Sequence, residues 1–151
     1  MTSEFIRLTS TFFYIGNLPL APGTLATLAG ALLCVALSHS LFLYLLILVV
    51  VTVVGLLVSG PMEDILKKKD PSCVVIDEIS GIMLAFFLLP LNATVLMTAF
   101  FLFRALDMFK LYPVNEFEKF EGGLGIMMDD IVAGIYTNIV MHIAIRWAGI
   151  I

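Results

Sequence analysis

Between Arg7 and Glu63 the chain carries no ionisable side chain except His39 and the weakly acidic Tyr14, Cys34 and Tyr44. Water-facing loops need charge at closer intervals, so a gap of this kind points to lipid as the surroundings. Composition agrees: 61% of the residues are hydrophobic, 13% are charged, and the mean hydropathy is +1.09. The length suits a single membrane-embedded domain over residues 1–151.

Apolar stretches over residues 25–37, 41–58, 74–89, 93–105 and 131–145 predict an all-α integral membrane bundle of about five membrane-embedded helices. The shortest fall below the roughly 20 residues of a full span, so tilted or re-entrant paths belong to the expectation. Ahead of them, Phe5, Ile6, Leu8, Phe12, Phe13 and Ile15 suit an N-terminal helix lying in the interface. The connections 38–40 and 90–92 lack Lys and Arg, whereas Lys67, Lys68, Lys69, Lys110 and Lys119 fall in the alternate ones. The positive-inside rule makes the basic connections cytoplasmic, with the N-terminus inside and the C-terminus outside. The acidic residues then gather at or near the inner face.

The net charge of −4 and the lack of basic stripes exclude a nucleic-acid partner. Cys34 and Cys73 have no metal-type spacing and read as small buried residues. His39 and His142 fall toward the outer side, away from the acids.

Two acid pairs carry the chemistry. Asp77-Glu78, followed by Gly81, opens one apolar helix, and Asp129-Asp130, followed by Gly134, is expected to open another. The helix macrodipole alone accounts for one such pair. Two pairs at one face repel unless protons or a cation intervene. All-oxygen ligands suit Mg²⁺, with Asp77, Glu78, Asp129 and Asp130 as the metal set. The two acidic segments look loosely alike, but the match is short enough to be chance.

Arg104, Asp107 and Lys110 recur every three residues and follow one drifting stripe of a helix. Local ion pairing is one reading. The other makes Arg104 and Lys110 a grip for phosphate beside the metal, with Asp107 as general base or as the group that orients Lys110. Asp130 is counted with Asp107 and Lys110 as catalytic. Thr24, at the end of the loop Gly16–Thr24, is a candidate N-cap and phosphate contact. Gly122, Gly123 and Gly125 read as a tight turn ahead of the second acid pair.

Pro22-Gly23-Thr24, Val75-Ile76-Asp77-Glu78 with Gly81, Phe103-Arg104 with Asp107 and Lys110, and Gly122-Gly123-Leu124-Gly125-Ile126-Met127 with Asp129, Asp130, Ala133 and Gly134 together resemble the phosphatidylglycerophosphatase A family. The resemblance implies a multi-pass enzyme of the bacterial inner membrane that removes the terminal phosphate of phosphatidylglycerophosphate with Mg²⁺, its active site on the cytoplasmic side. It implicates Asp77, Glu78, Arg104, Asp107, Lys110, Asp129 and Asp130. Leu111 and Ala26 depart from it, where a proline and a glycine are usual. No cysteine or Asp-x-Asp nucleophile motif of other phosphatases is present. A small ion or proton-coupled transporter using the same carboxylates is the alternative; it predicts acids spread through the depth of the bilayer.

A reporter fused after Ile151 is expected on the outer side of the membrane. An inner location would show that one of the short segments turns back without crossing.

Overall fold

The computed structural model describes residues 2–109, 112 and 120–148, and among these it is all-α. The helices are α1 (Ser3–Ser10), α2 (Pro22–Leu37), α3 (Leu41–Leu66), α4 (Ile76–Phe86), α5 (Ala93–Phe109) and α6 (Gly123–Ala148), with a 3₁₀ turn at Ile15–Asn17. Every apolar run has become a helix, but their lengths differ from the expectation. Among the described residues only α3 and α6 are long and apolar enough to cross a membrane, while α2 is a shorter apolar helix. Two apolar helices of spanning length support a membrane bundle, and the expected number of about five membrane-embedded helices is not confirmed.

The N-terminal segment is helical only as far as Ser10. The Thr2 hydroxyl caps α1 by accepting from the Phe5 amide, and Ile6 is buried with Val58 and Met62 of α3. Phe12, Phe13 and Tyr14 then take left-handed backbone, so the expected interfacial helix does not continue to Ile15. Two tertiary ties explain the break. The Ser10 carbonyl accepts from Val75 N at 2.9 Å, and Gly16 sits against the Cys73 carbonyl with no room for a Cβ.

The other helices alternate in direction. The start of α2, the segment after α3, the start of α4, the end of α5 and the first turns of α6 all border one cleft. At the opposite end, Leu37, Ser38, Leu41, Tyr44 and residues 86–91 surround a second, mostly apolar cavity. His142 lies toward that end, beside the Phe87 carbonyl.

Helix α4 is the centre of the bundle. It packs against α2, α3, α5 and, most extensively, α6. Nine of its eleven residues are buried, so its polar backbone ends need partners inside the protein. At about 16 Å it reaches only half-way across a hydrocarbon core. Its last carbonyls are met by side chains from the flanking helices. Tyr44 of α3 donates to the Met83 carbonyl at 2.6 Å, and Asn138 of α6 donates to those of Ala85 and Phe87 at 3.1 and 2.7 Å. Thr52 and Ser80 share a hydrogen bond of 2.7 Å between α3 and α4.

Helices α4 and α6 cross with their backbones in contact. A Cβ on Gly134 would strike the Gly81 carbonyl; one on Gly81 would lie 2.8 Å from the Asp130 carbonyl and 2.6 Å from Phe103 Cζ. Small residues permit such crossings, which in lipid rest on packing rather than on exclusion of water. Gly134→Val should therefore cost about 1–3 kcal/mol through overpacking. Thermal unfolding in detergent checks it, and a wild-type midpoint would mean that the helices separate without cost.

Candidate metal and phosphate site

The crossing sets the site. Asp77 stands four residues before Gly81 and Asp130 four before Gly134, so each carboxylate lies one turn from the glycine contact. Glu78 follows Asp77 in the first turn of α4, where the macrodipole favours negative charge. The second pair is not at a helix start: α6 begins at Gly123, so Asp129 and Asp130 lie about two turns inside it. The glycines expected to form a turn do so only at Gly122, with φ of +68°. Gly123 already belongs to α6, and a Cβ there would strike the Leu56 carbonyl of α3.

Ligand oxygens of Asp77, Glu78 and Asp130 all fall within 4.8 Å of one another. Asp77 and Asp130 are buried, and one oxygen of each of the three carboxylates, Asp77 Oδ1, Glu78 Oε2 and Asp130 Oδ1, is buried without a hydrogen-bond partner. Buried polar atoms rarely go without partners, and a converging set of three signals something that binds between them. Arg104 approaches from α5. Its Nη1 donates to Asp107 Oδ2 at 2.6 Å and lies 3.9 Å from Glu78 Oε1, while its buried Nε has no partner.

The surrounding cleft has a volume of about 380 Å³. Among its described lining residues, six carboxylates (Asp70, Asp77, Glu78, Asp107, Asp129 and Asp130) face one guanidinium, that of Arg104. Charges this close are sustained only by added protons or by a cation. The donor set is entirely hard oxygen and the cleft has room for water and a phosphate, which fits Mg²⁺.

A family model described as phosphatidylglycerophosphatase A matches residues 8–145. The chain belongs to that family. It is accordingly an enzyme of the phosphatase class, and the transporter alternative is not favoured. Phosphatidylglycerophosphatase A of Haemophilus influenzae is 33% identical, covering 94% of this chain and 90% of its own. The Escherichia coli protein of the same name is 32% identical, with 89% and 81% covered. A Bacteroides thetaiotaomicron protein named "Putative phosphatidylinositol-3-phosphatase" is 36% identical, with 93% and 92% covered. No solved structure matches the chain.

Against this family frame, Asp77, Glu78, Arg104, Asp107, Asp129 and Asp130 do converge on one cleft. Asp129 lines it but stands outside the three-carboxylate set; its Oδ1 accepts from the Asp130 amide at 3.0 Å. Asp107 pairs with Arg104, while Lys110 lies outside the described residues. Thr24 is not an N-cap. Helix α2 starts earlier, at Pro22, because proline suits the first turn, and Ala21 takes the cap position. Thr24 is then exposed and does not line the cleft.

Sequence reasoning missed the residue beside Thr24. A Cβ on Gly23 would strike Glu78 Oε1 and lie 3.4 Å from Arg104 Nη2, so this glycine keeps open the space those two groups occupy. The Pro-Gly-Thr run was the available signal. Asp70 was missed as well. It lines the cleft mouth, its amide held by Glu63 Oε1 at 2.7 Å, and its charge acts on Asp77. Gly23→Ala should lower turnover by about ten-fold or more by displacing Glu78, since small misplacements at a reacting centre carry losses of that order. Thr24→Ala should stay within about two-fold, as surface changes usually do. Phosphate release by the two variants checks this, and the reverse ranking would restore the hydroxyl as the working group.

Proposed function

We propose that the chain hydrolyses the terminal phosphate monoester of phosphatidylglycerophosphate to phosphatidylglycerol and inorganic phosphate, with Mg²⁺ held by Asp77, Glu78 and Asp130. The three converging, partnerless carboxylate oxygens beside Arg104 carry this reading. The family and the names of two relatives support the lipid.

When bound, Mg²⁺ supplies Lewis-acid neutralisation of charge on the phosphoryl oxygens. The remaining work belongs to the chain. Arg104 holds a phosphate oxygen and stabilises the charge that builds there in the transition state, which is where a fixed donor has most effect. Asp107 keeps the guanidinium aimed by the 2.6 Å bond. With its Oδ2 engaged by that guanidinium, its part is positioning. Water adds to phosphorus as the ester P–O bond breaks; one of its protons passes to a cleft carboxylate, which returns it to the departing glycerol oxygen to give the alcohol.

We place the protein in the bacterial inner membrane with the cleft on the cytoplasmic side. Exposed Lys67, Lys68 and Lys69 lie directly before Asp70 at the cleft mouth, which supports that side. The alternating helix directions and two full-length apolar helices support a multi-pass course.

Purified protein in detergent micelles should release phosphate from phosphatidylglycerophosphate with Mg²⁺ and lose at least about 100-fold with a chelator. Asp77→Asn and Asp130→Asn should each fall by a similar factor, because each removes a charge from the cation set. Phosphatidylinositol 3-phosphate belongs in the same assay, given the name of the Bacteroides relative. Equal rates with and without chelator would overturn the cation. Preferred release from the inositol lipid would overturn the headgroup, and no release from any lipid phosphate would overturn the reaction.

A further inference from the structure

Six carboxylates line the described cleft, yet another of its lining residues is large, apolar and open. Met108 borders the same space as Asp107 and Arg104, and it is 71% exposed. Val74, the other large aliphatic side chain among the lining residues, is buried. Met108 also continues a surface stripe. Met97 and Phe101, 57% and 62% exposed, precede Arg104 and Met108 at spacings of four, three and four residues, which is one side of α5. The outward apolar face of α5 therefore leads directly to the guanidinium.

The opposite wall is the start of α2, at Ala21, Pro22 and Gly23. Helices α2 and α5 both pack on α4 and touch each other only sparingly, so the cleft lies between their ends.

We infer that the lipid substrate enters this cleft sideways from the bilayer, between α2 and α5, with an acyl chain against Met108 and the α5 stripe. The inference rests on the phosphatase reading and adds to it a specificity-determining residue. A phosphate fixed beside Arg104 leaves its glycerol backbone within one headgroup length. The acyl chains must leave the cleft within that distance, and the charged walls offer them nothing. Met108 is the exit that matches their chemistry, since a flexible thioether packs against a mobile chain without a fixed shape. A water-soluble phosphate of the same headgroup makes no use of that exit.

The test compares kcat/KM for dioleoyl phosphatidylglycerophosphate in detergent micelles with kcat/KM for the deacylated, water-soluble headgroup phosphate. Met108→Asn should lower the ratio of lipid to soluble substrate by at least about ten-fold, mainly through KM for the lipid, whereas Met108→Leu should hold it within about two-fold. A ratio unchanged in Met108→Asn would overturn the proposal, as would equal losses in both variants. A wild-type enzyme that uses the soluble phosphate as well as the lipid would overturn sideways docking and leave the phosphatase standing. A wild-type enzyme active on neither would overturn both.

Discussion

The contact between Gly81 and Gly134 governs the site. It lets α4 and α6 meet backbone to backbone, and one turn away it forces Asp77 and Asp130 together with Glu78 alongside. Carboxylates at this separation oppose the packing that holds them. The glycine crossing, with Phe103 wedged beside it, is what the packing sets against that repulsion. The site is strained by charge and held by shape, so a cation between the carboxylates relieves what the crossing imposes.

A second constraint follows from the length of α4. Eleven residues do not cross a bilayer, and a helix that ends inside one must satisfy its carbonyls there. Tyr44 and Asn138 do so, which ties α3 and α6 to the same helix end. The acid-bearing end is therefore fixed at both extremities: glycine packing near the cleft, side-chain hydrogen bonds at depth. Rigid support of this kind lets a constellation of like charges keep its geometry.

The helices were legible because apolar runs interrupted by turn residues are the strongest signal a membrane chain carries. Their ends were less so, and the misses share a cause. Glycine serves both as a turn former and as a crossing residue, and local sequence does not separate the two uses. Gly123 was read as turn, which placed Asp129 and Asp130 at a helix start when they lie inside α6. The same ambiguity hid Gly23, since Thr24 offers a hydroxyl and Gly23 offers only the absence of a side chain. Asp70 was overlooked because a lone acid after three lysines reads as loop charge until the fold brings it beside Asp77. The charged set at the centre of the cleft was legible because buried charge in an apolar chain is costly enough to need a reason.

One electrostatic problem connects the site to its substrate. A phosphate monoester is an anion, and the described cleft offers six carboxylates against the single guanidinium of Arg104. Arg104 is moreover already engaged by Asp107 at 2.6 Å and faces Glu78 at 3.9 Å, so little of its charge is left to attract another anion. A cleft in this state repels the phosphate it is proposed to bind. With most of the charge on the three-carboxylate set offset by a divalent cation, the same guanidinium faces less competition and its partnerless Nε remains to be satisfied. Under the proposed function, the acidity that disfavours phosphate alone favours phosphate together with a divalent cation. On that argument, cation binding precedes or accompanies substrate binding, and Arg104 reads phosphate in a cleft whose negative charge has already been lowered.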